Sequence, residues 1–147
     1  MKRRHVIVGV ATLPLLAQAR GRPLVEVWKS PTCGCCKDWI AHLEANGFAS
    51  KVHDTGNTGM RGRLGIPVAL GSCHTALVGG YAIEGHVPAA DLRRLLAERP
   101  QAIGLAVPGM PVGSPGMDGA VYGGRRDPYD VLLVGRDGNT RVFTSYR

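Results

Sequence analysis

Three cysteines within four residues, Cys33-Gly34-Cys35-Cys36, and a fourth at Cys73 constrain this chain more than any other feature. Thiolate sulfur is soft and polarisable, and so dense a cluster can bring several sulfurs to one point. That chemistry suits a soft metal such as Cu(I), or a dithiol that cycles to a disulfide. Packing alone does not call for such density.

The compartment sets what the cysteines mean. Lys2, Arg3, Arg4 and His5 form a basic start, and the apolar run Val6 to Ala17 follows. Ala17-Gln18-Ala19 then offers the small-x-small pattern of a signal-peptidase site. About a dozen apolar residues are too few to span a bilayer, which needs roughly 20. Residues 1–19 are therefore expected to be a cleaved signal peptide, with 20–147 as a single exported domain. Arg3-Arg4 does not decide between the general and the twin-arginine export routes.

Cleavage removes three of the positive charges that give the chain its formal +7, leaving +4. Much of the basicity is thus a targeting signal. The remainder shows no Lys/Arg stripe interleaved with aromatics, which argues against a nucleic-acid surface. No second apolar stretch is long enough for a membrane span.

Export first suggests structural disulfides, because an even cysteine count in a small secreted protein commonly means staples. The spacing argues otherwise. Adjacent Cys35 and Cys36 can join only through a strained ring. A Cys33–Cys36 bridge closes a loop so short that it hardly restricts the unfolded chain. Chemistry is the better explanation.

Leu24 to Lys29 reads as a buried strand, ended by Ser30-Pro31-Thr32, with Thr32 as the expected helix N-cap. Cys36, Trp39, Ile40 and Leu43 then recur at three- and four-residue steps, predicting a helix up to Gly47. Ala49 to His53 alternates like a second strand. Gly56 to Gly65 reads as a glycine-rich connection, and Ile66-Pro67 as the start of an apolar, Pro-led strand to Leu70. Gly79-Gly80 predicts a hairpin turn between Thr75–Val78 and Tyr81–Ile83. A helix from about Pro88, with Leu92, Leu95 and Leu96 inward, stops before Pro100. Asp137-Gly138 turns a last hairpin between Val131–Val134 and Arg141–Tyr146.

This order predicts an α/β chain: a thioredoxin-like βαβ-ββα core with an additional Gly/Pro/Met-rich loop and β-hairpin at the C-terminal end. The cysteines sit where that plan places its dithiol, and the Pro67 turn where it places a cis-proline beside the thiols.

Cys33 and Cys36 share a helix face, and all three clustered cysteines lie near a helix N-terminus, whose positive end stabilises thiolate. Lower thiol pKa aids metal capture and disulfide exchange alike. Cys73 arbitrates, since a simple dithiol enzyme does not need four cysteines, whereas Cu(I) ions bridged by sulfur use them naturally. Structural zinc usually draws on two separated Cys pairs, unlike this three-plus-one split. Cys33, Cys35, Cys36 and Cys73 are therefore the expected metal ligands, with copper, as Cu(I), the expected metal. Met110 and Met117, ending two copies of Pro-Gly-Met, add soft thioethers as further candidates, and His74 and His86 are also candidates. His42, on the solvent side of the helix, His53 and Met60 read as bystanders.

Several blocks in order also resemble a known family. Val27-Trp28-Lys29-Ser30-Pro31-Thr32-Cys33-Gly34-Cys35-Cys36 with Trp39 and His42-Leu43 resembles the opening of the domain of unknown function family 411. Gly65-Ile66-Pro67, Ser72 to Ala76, Gly80-Tyr81, Ile83 to Pro88 and Gly104 to Met117 continue the likeness. That family includes the CopG-type periplasmic copper-resistance proteins. The resemblance implies a thioredoxin-like fold, export, copper handling through Cys33, Cys35, Cys36 and Cys73, and contact with other periplasmic copper-handling proteins. It leaves open whether protection comes from sequestration or redox conversion. Two readings thus stand: a Cu(I)-binding protein for copper resistance or homeostasis, and a thiol–disulfide or copper-dependent oxidoreductase with Cys33 and Cys36 as its dithiol.

Overall fold

A computed structural model describes residues 21–147, so the expected signal peptide, residues 1–19, lies outside the described residues. The architecture is mixed α/β, built on one seven-stranded sheet in the order β2-β1-β3-β4-β5-β6-β7. Strand β1 (Leu24–Lys29) leads into helix α1 (Gly34–Ala45), which returns the chain to β2 (Ala49–His53), parallel to β1. Helix α2 (Thr58–Arg63) precedes β3 (His74–Val78), which runs antiparallel to β1 and turns into β4 (Tyr81–Glu84). Helix α3 (Ala89–Glu98) crosses to β5 (Gly104–Ala106), parallel to β4; β6 (Tyr129–Val134) and β7 (Thr140–Tyr146) then close the sheet as a hairpin.

Strand alternation sends successive side chains to opposite faces, so each strand serves two layers. On one face Val25 and Val27 meet Trp39 and Leu43 of α1, together with Ile83, Leu92, Leu95, Leu105 and Val131, all essentially inaccessible. On the other, Ile66, Ala82, Ala106 and Val134 form a smaller cluster with Leu64, Leu70 and Ile103. The apolar periodicity of α1 and α3 matches the first layer. The second draws on short stretches with no period to read.

Several expectations are corrected. The α1 N-cap is Cys33, one residue beyond Thr32, so the helix begins inside the cysteine motif. The glycine-rich connection contains a helix, α2, whose Arg61 is held by a charge on β4. Local propensity hides it, because Gly59 and Gly62 are poor helix formers and the stabilising contact is tertiary. The expected Pro-led strand is a 3₁₀ turn, Val68–Leu70, in which the Leu70 N–H bonds back to the Pro67 carbonyl. The Pro67 peptide bond is trans, and the Pro67 ring lies near Gly138 in the last hairpin turn; Ser72 and Cys73 take the place just before β3. Strand β5 was not expected. Its three residues are too few to show alternation, yet they bolt the last hairpin to the sheet. No helix among the described residues is long and apolar enough to cross a membrane.

His42 is also more than a bystander on the solvent side. Its Nε2 accepts the Ala89 backbone N–H at 3.1 Å, satisfying an otherwise unpaired donor in the first turn of α3. Burial lowers the His42 pKa from 6.5, which keeps the ring neutral and able to accept. A pKa depressed by folding gives stability that is full above the free-imidazole value and lost as pH falls toward the native one. The wild type should therefore exceed His42→Ala by about 1 kcal/mol at about pH 8, and this margin should shrink toward about pH 5. Urea unfolding at both pH values measures it; an equal margin at both would remove the acceptor role.

Candidate metal centre

The end of β1, the start of α1 and the approach to β3 meet at one point. Antiparallel pairing sets Lys29, the last residue of β1, opposite His74, the first of β3. Cys73 therefore arrives beside the tip of α1 from 37 residues beyond Cys36. There the Cys33 N–H is held by the Ser30 carbonyl at 3.1 Å, and Cys36, one turn into the helix, is fully buried.

Cys33 and Cys36 are joined as a disulfide with Cα atoms 5.4 Å apart; Cys35 and Cys73 are free and half-buried. Cys35 Sγ lies 3.6 Å from Cys33 Sγ and 3.7 Å from Cys73 Sγ. All four sulfurs fall within 4.8 Å of one another. The sulfur convergence expected from the motif is thus present, with the disulfide as an added feature.

A second donor set shares Cys73. Cys73 Sγ, His74 and His86 likewise lie within 4.8 Å of one another, with both imidazoles fully buried. The His86 Nε2 is 3.1 Å, and the His74 Nδ1 3.4 Å, from the Cys73 sulfur. The far nitrogens contact backbone carbonyls: His74 Nε2 the Gly85 oxygen at 2.9 Å, His86 Nδ1 the Pro115 oxygen at 2.8 Å. A carbonyl only accepts, so each far nitrogen must carry the hydrogen. Burial pushes both imidazole pKa values down, and for His74 the neighbouring His86 adds to this. Both rings are therefore neutral, and each aims a lone pair at Cys73.

Proton counting then tests whether these residues fit a cation. Burial first, and then the adjacent Cys35, push the Cys73 thiol up to about 12, so it carries one hydrogen. One S–H cannot serve two imidazole lone pairs. A cation at this point would engage both nitrogens and displace the thiol proton, and the carbonyl bonds already hold the rings at the needed tautomer. The donor set fits a soft or borderline metal.

Supporting packing fixes these parts. Trp39 lies against His74, ring centroids 4.2 Å apart, and donates its indole N–H to the Val87 carbonyl at 2.8 Å. Of the two methionines, Met110 is half exposed, on a segment tied down by Gly109 N–H to the Gly71 carbonyl at 3.1 Å. Met117 is buried, and its sulfur accepts the Tyr122 hydroxyl at 3.3 Å. His53 stacks on Trp28 and contacts Glu26.

Sequence reasoning passed over a polar network below Cys73. Glu84, fully buried, pairs with Arg61, accepts the Ser72 N–H at 2.7 Å and accepts the Thr75 hydroxyl at 2.6 Å. Glu84 lies in one of the quoted blocks without a role, and a charged residue ending an otherwise apolar strand was the available signal. Arg61 gave none, because its partner is more than 20 residues away.

Two solved structures of a copper resistance protein CopG superpose closely on this chain. Form 2 is 46% identical, with a TM-score of 0.79, covering 86% of this chain and 99% of that one. Form 1 is 48% identical, with a TM-score of 0.77, covering 84% of this chain and 96% of that one. The chain belongs to the CopG-type DUF411 family. The family model, described as a protein of unknown function, DUF411, matches residues 70–117 and so spans Cys73, His74, Glu84, His86, Met110 and Met117. No curated protein matches the sequence.

In this DUF411 member the C-terminal segment completes the site through Gly116. That residue has φ +88°, and a Cβ there would fall 2.6 Å from the Cys35 carbonyl oxygen and 2.8 Å from the Trp39 nitrogen. Gly116→Ala should cost about 1–3 kcal/mol and lift the Pro115 carbonyl from His86. Denaturant unfolding and the His86 ring signals in NMR report the two effects; wild-type values for both would show that the segment does not depend on this close approach.

Proposed function

We propose that this protein is exported to the periplasm, there binds copper as Cu(I) through Cys33, Cys35, Cys36 and Cys73, and serves copper resistance or homeostasis. The observation that carries the reading is the convergence of three other sulfurs and two neutral imidazoles on Cys73. Membership of the CopG-type family supports it, since the similar structures are of a copper resistance protein. Cu(I) is soft, and bridging thiolates let a compact sulfur cluster hold more than one such ion. Met110 and Met117 are proposed as nearby thioether ligands, and His74 and His86 as imidazole ligands. The signal peptide of residues 1–19 supplies the export, 20–147 acts as one domain, and other periplasmic copper-handling proteins are the natural donors or acceptors.

A thioredoxin-like core is part of the same proposal. Its support is the parallel β1–α1–β2 unit, followed by the β3–β4 hairpin and α3, with a cysteine pair where β1 gives way to α1. On this view β5, β6 and β7 extend the sheet beyond that core.

The Cys33–Cys36 disulfide favours a second reading, a thiol–disulfide or copper-dependent oxidoreductase. Two electrons and two protons convert that bond to two thiols. In the first reading this reduction frees the full sulfur set for metal. In the second it is the chemistry itself, with a substrate dithiol giving up the electrons.

Anaerobically reduced protein titrated with Cu(I) and with Zn(II) should prefer Cu(I), and Cys36→Ser and Cys73→Ser should each lose most of that binding. Undiminished copper in both variants would rule the site out. Metal-free protein is the arbiter for the oxidoreductase. Steady electron transfer from a dithiol to a disulfide substrate, kept in Cys73→Ser and inhibited by copper, favours the thiol–disulfide enzyme. Absence of turnover removes that enzyme, and the copper-dependent one then predicts electron transfer only with metal bound.

A further inference from the structure

We propose that Arg61 is a positioning residue for Cys73, acting with Glu84 on the backbone of Ser72. Both peptide groups flanking the Ser72 Cα end on one buried charge pair. The Ser72 N–H donates to Glu84 Oε1 at 2.7 Å, and the Ser72 carbonyl accepts from Arg61 Nη2 at 2.6 Å. Arg61 Nε closes the circuit on the same Glu84 oxygen at 2.8 Å. Asn57 adds a second donor to the Ser72 carbonyl at 3.1 Å, while Thr75, on β3, holds the other Glu84 oxygen at 2.6 Å.

The Ser72 carbonyl carbon is bonded directly to the Cys73 nitrogen, so fixing this peptide fixes the origin of the Cys73 side chain. Its sulfur sits 3.7 Å from Cys35 and 3.1 Å from His86, spacings that small backbone shifts would undo. The Ser72 hydroxyl also donates to the Gly109 carbonyl at 2.5 Å, so the clamp reaches the segment carrying Met110.

Stability alone is a poor explanation for the pair. Glu84 is fully buried and Arg61 only 13% exposed. Buried ion pairs carry a desolvation cost that well-packed apolar residues avoid. A guanidinium, however, is planar and presents several N–H groups at fixed angles, so one side chain can hold a carboxylate and a carbonyl together. A lysine ammonium on its flexible stem keeps the charge but not that geometry.

What Cys73 does with metal rests on the copper reading above; its placement does not. The test therefore uses metal-free full chain first. Cys73 and Cys35 are alkylated with iodoacetamide, and peptide mass mapping follows each separately. Arg61→Lys, the neutral pair Arg61→Gln with Glu84→Gln, and Asn57→Ala are compared with Phe143→Leu, a destabilising control in the distant β7. Arg61→Lys should alkylate at Cys73 about tenfold faster while the control, at similar loss of Tm, does not. Copper-loaded Arg61→Lys should also release Cu(I) to a chelator about tenfold more readily.

Cys73 rates that stay at wild type in Arg61→Lys and the neutral pair, or move no further than in Phe143→Leu, overturn the proposal. Asn57→Ala keeps the charge pair and reads the clamp where Arg61 variants do not fold; an unchanged Cys73 rate in it then overturns the proposal as well. A wild type that takes up no copper defeats the copper reading, while the alkylation rates still decide the clamp.

Discussion

The antiparallel pairing of β1 with β3 is the constraint on which the site depends. It aligns Lys29 with His74 and so carries Cys73 to the first turn of α1, where Cys33, Cys35 and Cys36 already lie. A one-residue slip in that register would send His74 to the opposite face and Thr75 into its place. The apolar partners Val25, Val27, Ala76 and Val78 hold the register, because all four are buried in the same layer. A hydrophobic pattern in two strands thus fixes the geometry of a polar cluster.

Strand alternation also explains how one short segment does two jobs. His74 faces Trp39 and α1, where its ring is oriented toward the Cys73 sulfur; Thr75 faces the other way, onto Glu84. Cys73, immediately before them, is gripped from both sides. Imidazoles and sulfurs lie above it, and the Arg61–Glu84 pair below holds its preceding peptide. Sulfur chemistry needs donors at fixed separations, and here those separations are set by backbone hydrogen bonds on a packed sheet.

Much of this was legible in the residues. The span of β1 and of β2, the two inward helix stripes and both hairpins follow from local periodicity and glycine turns. The crowding of three cysteines into four residues marked the sulfur cluster, although the short loop counted there against a Cys33–Cys36 staple is closed by a disulfide in the fold. Other elements were hidden for physical reasons. Helix α2 has weak intrinsic propensity and is held through Arg61, so no local signal marks it. Strand β5 works because Gly104 lets its backbone approach that of Ala82, a contact invisible before the strands meet. His42 sat on a polar helix face, and only the position of α3 turned it into an acceptor.

The residues by themselves determined the soft donor set, the helix that starts within it and the larger apolar layer that α1 and α3 cover. These are properties of composition and of short-range period, which each segment carries alone. Tertiary structure decided which donors meet, which imidazole nitrogens carry hydrogen, and that Cys35 turns to Cys73. Those outcomes depend on distant partners, such as the Gly85 and Pro115 carbonyls for the two histidines. A hydrogen bond between remote segments has no signature in either segment, so only the folded chain can specify it.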